Sequence, residues 1–262
     1  MNKIDKLFQT RQKPALSIYI TAGYPQLDSL KTILPDLEKA GVDLVEIGMP
    51  FSDPLADGPV IQEASQVALK NGMSLELLFE QLSEIKTSMP LILMGYLNPV
   101  LQFGLEEFLK KAKQCGISGT ILPDLPVQEY LKHKDKFESS GIHNILLVTP
   151  QSSDERIRQL ASVSRGFLYL VSSASTTGTK GFANADPSYF SRIREMDLGL
   201  PGMIGFGIKT KEDFERAGQL ADGAIIGTEF IRHLRPAIDD PEVDLEGLVS
   251  GFVEEFAVGS QQ

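Results

Sequence analysis

Basic charge is scarce in this chain: 25 Lys and Arg stand against 35 Asp and Glu, a net charge of -10. Nucleic acid is bound through clustered Lys and Arg on its phosphates, and no basic stripe is present, so that class of partner is excluded. Long apolar runs are missing too. No stretch reaches the roughly 18 residues that would suggest a membrane span. Residues 1–14 are polar and charged, without the apolar core of a secretory signal, so a cytoplasmic protein is expected. A lone cysteine, Cys115, excludes an internal disulfide, and its place at the end of a helical pattern is that of a small buried hydrophobe. His133, His143 and His233 lie in or beside charged helical stretches without ligand spacing, so no metal site is expected. The phosphate-binding pattern G-x-x-x-x-G-K-S/T is absent as well.

What the chain does have is 262 residues with 42% hydrophobic content, enough to bury a full core, and eight short apolar runs. They begin near Leu16, Asp43, Leu91, Gly119, Asn144, Phe167, Gly202 and Gly223, rich in Val, Ile and Leu as strands of a parallel sheet are. Between them, Leu30/Ile33/Leu34/Leu37, Leu75/Leu78/Leu82/Ile85 and Leu105/Phe108/Leu109/Ala112 keep the spacing of amphipathic helices. Eight right-handed strand and helix repeats close into a barrel. The expectation is therefore a single (β/α)8 TIM barrel domain over residues 1–262. An added N-terminal helix, with Ile4, Leu7 and Phe8 plugging the floor, and an extra helix at 59–70 after the second strand complete it. Leu245, Leu248, Val249, Phe252, Val253 and Phe256 predict a closing C-terminal helix.

The longest gaps between strand starts follow the second and sixth strands, and long loops at the carboxyl face of a barrel are where binding and catalysis collect. In the second strand, alternation sends Glu46 in the same direction as Leu44. An ionised carboxylate inside a sheet costs several kcal/mol, roughly, unless it is paired or its pKa rises, so Glu46 is the candidate proton-transfer group. Asp53 and Asp57 follow on a loop stiffened by Pro50, Pro54 and Pro59. Three glycine turns follow later strands, at Thr177-Gly178, at Gly205-Phe206-Gly207 and at Gly227-Thr228. Backbone amides and a helix N-terminus there can hold a phosphate without a cationic side chain.

The run Glu46-Ile-Gly-Met-Pro-Phe-Ser-Asp-Pro-Leu-Ala-Asp57-Gly-Pro resembles the tryptophan synthase α-subunit family. Supporting matches are Tyr19 to Pro25, Met94 to Pro99, Leu122 to Pro126, Gly205 to Ile208 and Gly223 to Thr228, and the resemblance runs from about Ile4 to the last helix. It implies retro-aldol cleavage of indole-3-glycerol phosphate to indole and glyceraldehyde 3-phosphate. The indole would pass to a β subunit in an α2β2 assembly, with pyridoxal phosphate only in that partner and no cofactor in this chain. It assigns Glu46 as general acid/base, Asp57 as the carboxylate that engages the indole nitrogen, and Tyr169 to the reacting end. Tyr19, Ile61, Tyr96, Ile121, Pro123 and Asp124 become the indole pocket, and Thr177, Gly178, Gly207, Gly227 and Thr228 the phosphate cradle. Asp53 becomes the residue that signals to the partner. Asp124 before Pro126 can equally be a turn-capping carboxylate.

Two positions depart from the family's commoner pattern. Ser173 stands where arginine is usual, which puts loop closure and coupling to the partner in doubt, and Thr228 replaces a serine while keeping the hydroxyl. Two other functions remain open at this point: a module that binds ligand and activates a β partner with little chemistry of its own, and a stand-alone lyase that releases free indole.

Overall fold

The computed structural model describes residues 1–172, 182, 185–240 and 242–256. Eight parallel strands pair in sequence order and close: β1 (Ala15–Thr21), β2 (Leu44–Gly48), β3 (Leu91–Met94), β4 (Ile117–Ile121), β5 (His143–Val148), β6 (Leu168–Val171), β7 (Gly202–Gly205) and β8 (Gly223–Ile226). All eight apolar runs are strands, and the barrel is the expected one. Helices cover it from outside. On α2 (Leu30–Lys39) the residues Leu30, Ile33, Leu34 and Leu37 are all buried, as their spacing predicts. The extra helix α3 (Pro59–Lys70) begins on a proline, whose fixed φ suits a first helical position, and is followed by α4 (Leu75–Glu84). Ser74 caps α4 by accepting the Leu77 N–H.

The remaining helices are α5 (Leu97–Phe103), α6 (Leu105–Gln114), α7 (Val127–Ser140), α8 (Asp154–Val163), α9 (Pro187–Glu195), α10 (Lys211–Leu220), α11 (Thr228–His233), α12 (Pro236–Asp239) and α13 (Leu245–Phe256). The α5 helix was not among those expected; its Pro99 lies in the first turn, where a missing N–H leaves no bond unmade. Strand β4 starts two residues before Gly119. A Cβ on that glycine would press on Ile4 and Ile145 at 3.0 and 3.1 Å, so the missing side chain makes room for the floor. The floor itself is α1 (Lys3–Thr10), whose Ile4 is fully buried and whose Phe8 ring meets Phe167 edge-on at 6.1 Å. Among the described residues no helix is long and apolar enough to cross a membrane.

Candidate active site

Parallel pairing places Tyr19 beside Glu46 and Glu46 beside Ile92, so all three side chains share one face of the sheet. Glu46 is fully buried, and neither carboxyl oxygen has a hydrogen-bond partner among the described groups. Burial alone pushes its pKa up to about 8, which makes it a protonated acid at neutral pH. Asp57 lies between β2 and α3, half-buried, and burial pushes its pKa up to about 6 against the opposing effect of a hydrogen bond from Tyr96. That hydroxyl donates to Asp57 Oδ2 at 3.1 Å and accepts the Ala56 N–H at 2.9 Å, so Tyr96 ties the acidic loop to the end of β3.

Two further hydroxyls enter the mouth because two strand-end glycines leave space for them. A Cβ on Gly48 would overlap the Tyr19 hydroxyl, and one on Gly205 would overlap the Tyr169 hydroxyl. Both phenols are held well above their usual pKa, first by burial and then by the negative charges of Glu46 and Asp57. Glu46, Asp57, Tyr19 and Tyr169 therefore lie within one another's fields, although the chain spreads them over β1, β2, the loop after β2 and β6. Two carboxylates whose pKa values are pushed to different heights are able to hold different protonation states at one pH.

A cavity of about 10 Å³, room for about one water, lies beside them; Tyr19, Met49, Asp57, Met94, Tyr96 and Pro123 are among its lining. Ile61 on α3, Ile121 at the end of β4 and Asp124 do not line it. Asp124 is exposed and accepts the Leu97 N–H at 2.9 and 3.1 Å, bonding the first turn of α5 after the neighbouring strand β3 rather than its own turn. Sequence reasoning did not single out Met49, Met94 or Phe51, whose ring lies 5.2 Å from that of Tyr96. Phe51 and Met49 stand inside the acidic motif, but alternation puts odd positions on the face opposite Glu46, so only their place in the motif could have signalled them.

At the other side of the mouth, Gly207 has φ 83°, and Gly227 caps α11, where a Cβ would come within 3.2 Å of Tyr19 Cβ. Thr228 is the first residue of that helix. Thr177, Gly178 and Ser173 lie outside the described residues. Asp53 is exposed and accepts a hydrogen bond from Ser52, two positions from Leu55, which is 86% exposed.

The other candidate groups serve structure. Cys115 Sγ donates to the Phe79 carbonyl at 3.3 Å, and burial raises its pKa, away from a reactive thiolate. His143 heads β5 and meets Asp5 at 2.8 Å, while the His233 ring lies 5.2 Å from that of Phe252 in a tilted contact. No group of three His, Cys, Asp or Glu able to hold a metal is found among the described residues.

Fold and mouth together define a class: a (β/α)8-barrel enzyme with its ionisable groups gathered at the carboxyl ends of the strands. The family model "Tryptophan synthase alpha chain" matches residues 6–259. A tryptophan synthase alpha chain of Flavobacterium psychrophilum is 56% identical over 89% of this chain and 94% of its own length. One from Christiangramia forsetii is 54% identical over 89% and 93%. Among solved structures, tryptophan synthase subunit alpha from Legionella pneumophila superposes with a TM-score of 0.84 at 33% identity, covering 98% of each chain. The chain belongs to the tryptophan synthase alpha chain family. Its activity is the family's, cleavage of indole-3-glycerol phosphate, a lyase step of tryptophan biosynthesis, and an activating module without chemistry of its own is not favoured.

Proposed function

We propose that the cleavage is carried by Glu46 as general acid and then base, with Asp57 as the carboxylate that stabilises the ring nitrogen and Tyr169 packed at the reacting end. The observation that carries this reading is the fully buried, unpartnered carboxyl of Glu46 inside the mouth, whose pKa burial pushes up to about 8. Protonated Glu46 delivers its proton to indole C3, which places positive charge at the ring nitrogen. Ionised Asp57 accepts the N–H and stabilises that charge. The carboxylate left on Glu46 then takes the proton of the adjacent chain hydroxyl as the bond from C3 to the glycerol carbon breaks. Its electron pair returns to the ring, and indole and glyceraldehyde 3-phosphate leave with Glu46 protonated again. The phosphate sits on Gly207, Gly227 and Thr228, with Thr177 and Gly178 completing the cradle; the dipole of α11 favours it. Tyr19, Ile61, Tyr96, Ile121, Pro123 and Asp124 belong to the surroundings of the indole, with Ile61, Ile121 and Asp124 outside the lining of the small cavity. Glu46→Gln tests the assignment: indole release is lost while a phosphorylated indole analogue still binds. Release at the wild-type rate would end it.

Residues 1–262 act as one barrel domain, in the cytoplasm, as one subunit of an α2β2 assembly whose pyridoxal phosphate belongs to the β partner. The support is exposed apolar side chains on segments that follow β2 and β3: Leu55, two positions from the exposed Asp53, is 86% exposed, and Leu101 on α5 is 52% exposed. Asp53 is the residue placed to signal across that contact. Size-exclusion chromatography with and without a β subunit tests this, and a chain that forms no complex would instead be a stand-alone lyase.

A further inference from the structure

Among the described residues only two other than glycine have a left-handed backbone, Asp197 with φ 45° and Phe206 with φ 72°. Asp197 ends α9, its N–H donating to the Arg194 carbonyl at 3.3 Å, an ordinary place for a short polar residue. Phe206 has no such reason. A bulky side chain in that region is an outlier that persists only when its surroundings hold it there. The surroundings are specific. The Ser172 hydroxyl, in a residue 6% exposed at the end of β6, donates to the Phe206 carbonyl at 2.6 Å. The Ser172 N–H donates to the Gly205 carbonyl at 3.2 Å, and the Phe182 N–H donates to the Gly207 carbonyl at 3.1 Å, so the turn is fastened on both sides. Held this way, the Phe206 ring meets Tyr169 edge-on at 6.0 Å, while the Tyr169 hydroxyl fills the space over Gly205.

We propose that Ser172 is a positioning residue for the reaction: its hydroxyl locks the Phe206-Gly207 turn in the left-handed conformation, setting the Phe206 ring against Tyr169 and Gly207 at the phosphate end. The same bond thus fixes both ends of the reactant. The part concerning Gly207 rests on the phosphate reading above; the part concerning Phe206 and Tyr169 does not. Without the hydroxyl, phenylalanine relaxes toward negative φ and swings the turn away from both.

Glycine adopts positive φ freely, so a turn carrying glycine at 206 has no need of the lock. The test is a double-mutant cycle on the full chain, read as indole release, with melting followed for each variant. Ser172→Ala is expected to lower kcat/KM by about tenfold, the size of one lost hydrogen bond in a preorganised turn, and Ser172→Thr to restore it. In a Phe206→Gly background the same Ser172→Ala change is expected to cost less than about twofold. An equal loss in both backgrounds, or a lowered melting temperature with kcat/KM intact, overturns the proposal. Glycerol 3-phosphate as a competitive inhibitor separates the two readings. If its affinity is unchanged in Ser172→Ala while the coupling to Phe206 persists, the phosphate placement of Gly207 fails and the role of Ser172 stands.

Discussion

The two ends of the barrel treat their polar groups in opposite ways. Toward the floor most are bonded, with Ser17 Oγ on β1 and Asn144 Nδ2 near the start of β5 as exceptions. Asn2 donates to the carbonyls of Ser118 and Gly141 at 2.8 and 3.0 Å and accepts the Ile4 N–H at 2.8 Å. Lys3 reaches the Thr87 carbonyl at 2.8 Å, Asp5 meets His143, and Asp43 holds both Arg11 and the Leu16 N–H. At the mouth a fully buried acid has no partner, two phenols crowd in over glycines, and a phenylalanine holds a strained backbone. Polar atoms that are satisfied fix a structure, whereas polar atoms that are desolvated and unpaired are available to a ligand. The difference between the ends is that between stability and reactivity, as barrel enzymes divide it.

The sharpest way to break the comparison is to remove the unpaired acid. Glu46→Gln keeps shape and burial and removes the proton, and a positioned acid/base is worth about 10²- to 10⁴-fold, so kcat is expected to fall by at least about 10². Single-turnover indole release measures it. The same variant has an opposite effect on stability. A carboxyl with a folded pKa near 8 and an unfolded value near 4.3 carries no penalty below the lower value. As pH rises between the two, the unfolded chain releases a proton that the folded chain keeps, so wild-type stability falls across that window and levels above it. Glu46→Gln escapes this loss. Its advantage in urea unfolding should grow from pH 5 to pH 8 toward at most roughly 4 kcal/mol, and a gap that stays flat with pH would show that Glu46 is not buried as a neutral acid.

The floor predicts the reverse pattern. Ile4 is fully buried against the space above Gly119 and Gly166, so Ile4→Ala leaves a cavity and is expected to cost about 2–5 kcal/mol of stability. In the molecules that remain folded, kcat should stay within about twofold of wild type, since the floor lies at the opposite end from the mouth that Glu46 and Asp57 face. Unfolding in urea, set beside activity per folded molecule, checks both halves. A large loss of kcat at full folding would show that the two ends are not separable.

How much of this division was legible beforehand differs by residue. Glu46 was readable because a strand's alternation is local and a carboxylate between Leu44 and apolar neighbours violates it. Helix α3 was readable from Pro59 at its start and Asn71-Gly72 at its end. Gly119 was misread as a strand boundary because a glycine's role there, making room for Ile4, lies in a segment far away along the chain. The tie between Tyr96 and Asp57 joins positions 39 apart, and nothing in either segment signals it; the tyrosine reads only as a pocket wall. Nor does sequence show a backbone angle, so Phe206 looked like one more apolar residue between two glycines. Periodicity reports which way a side chain points. It does not report which distant group it meets.

Tyr96 offers the finest test. Burial raises the Asp57 pKa to about 6, and the Tyr96 hydroxyl opposes that rise by donating to the ionised form. With Glu46 acting as a proton donor and Asp57 as an anion, kcat/KM should be bell-shaped, falling below about pH 6 as Asp57 protonates and above about pH 8 as Glu46 ionises. Tyr96→Phe keeps the ring beside Phe51 and removes the hydroxyl, both the donor to Asp57 and the acceptor of the Ala56 N–H, so the Asp57 pKa is expected to rise. A neutral hydrogen bond of about 1 kcal/mol corresponds to somewhat under one pH unit, and the acidic limb is expected to move up by about that much while the basic limb stays. At pH 8, where Asp57 is ionised with or without the hydroxyl, the loss of activity should be less than about threefold. Movement of the basic limb instead would place the Tyr96 hydroxyl in contact with Glu46, and would dissolve the separation of the two carboxylates on which the division of their roles depends.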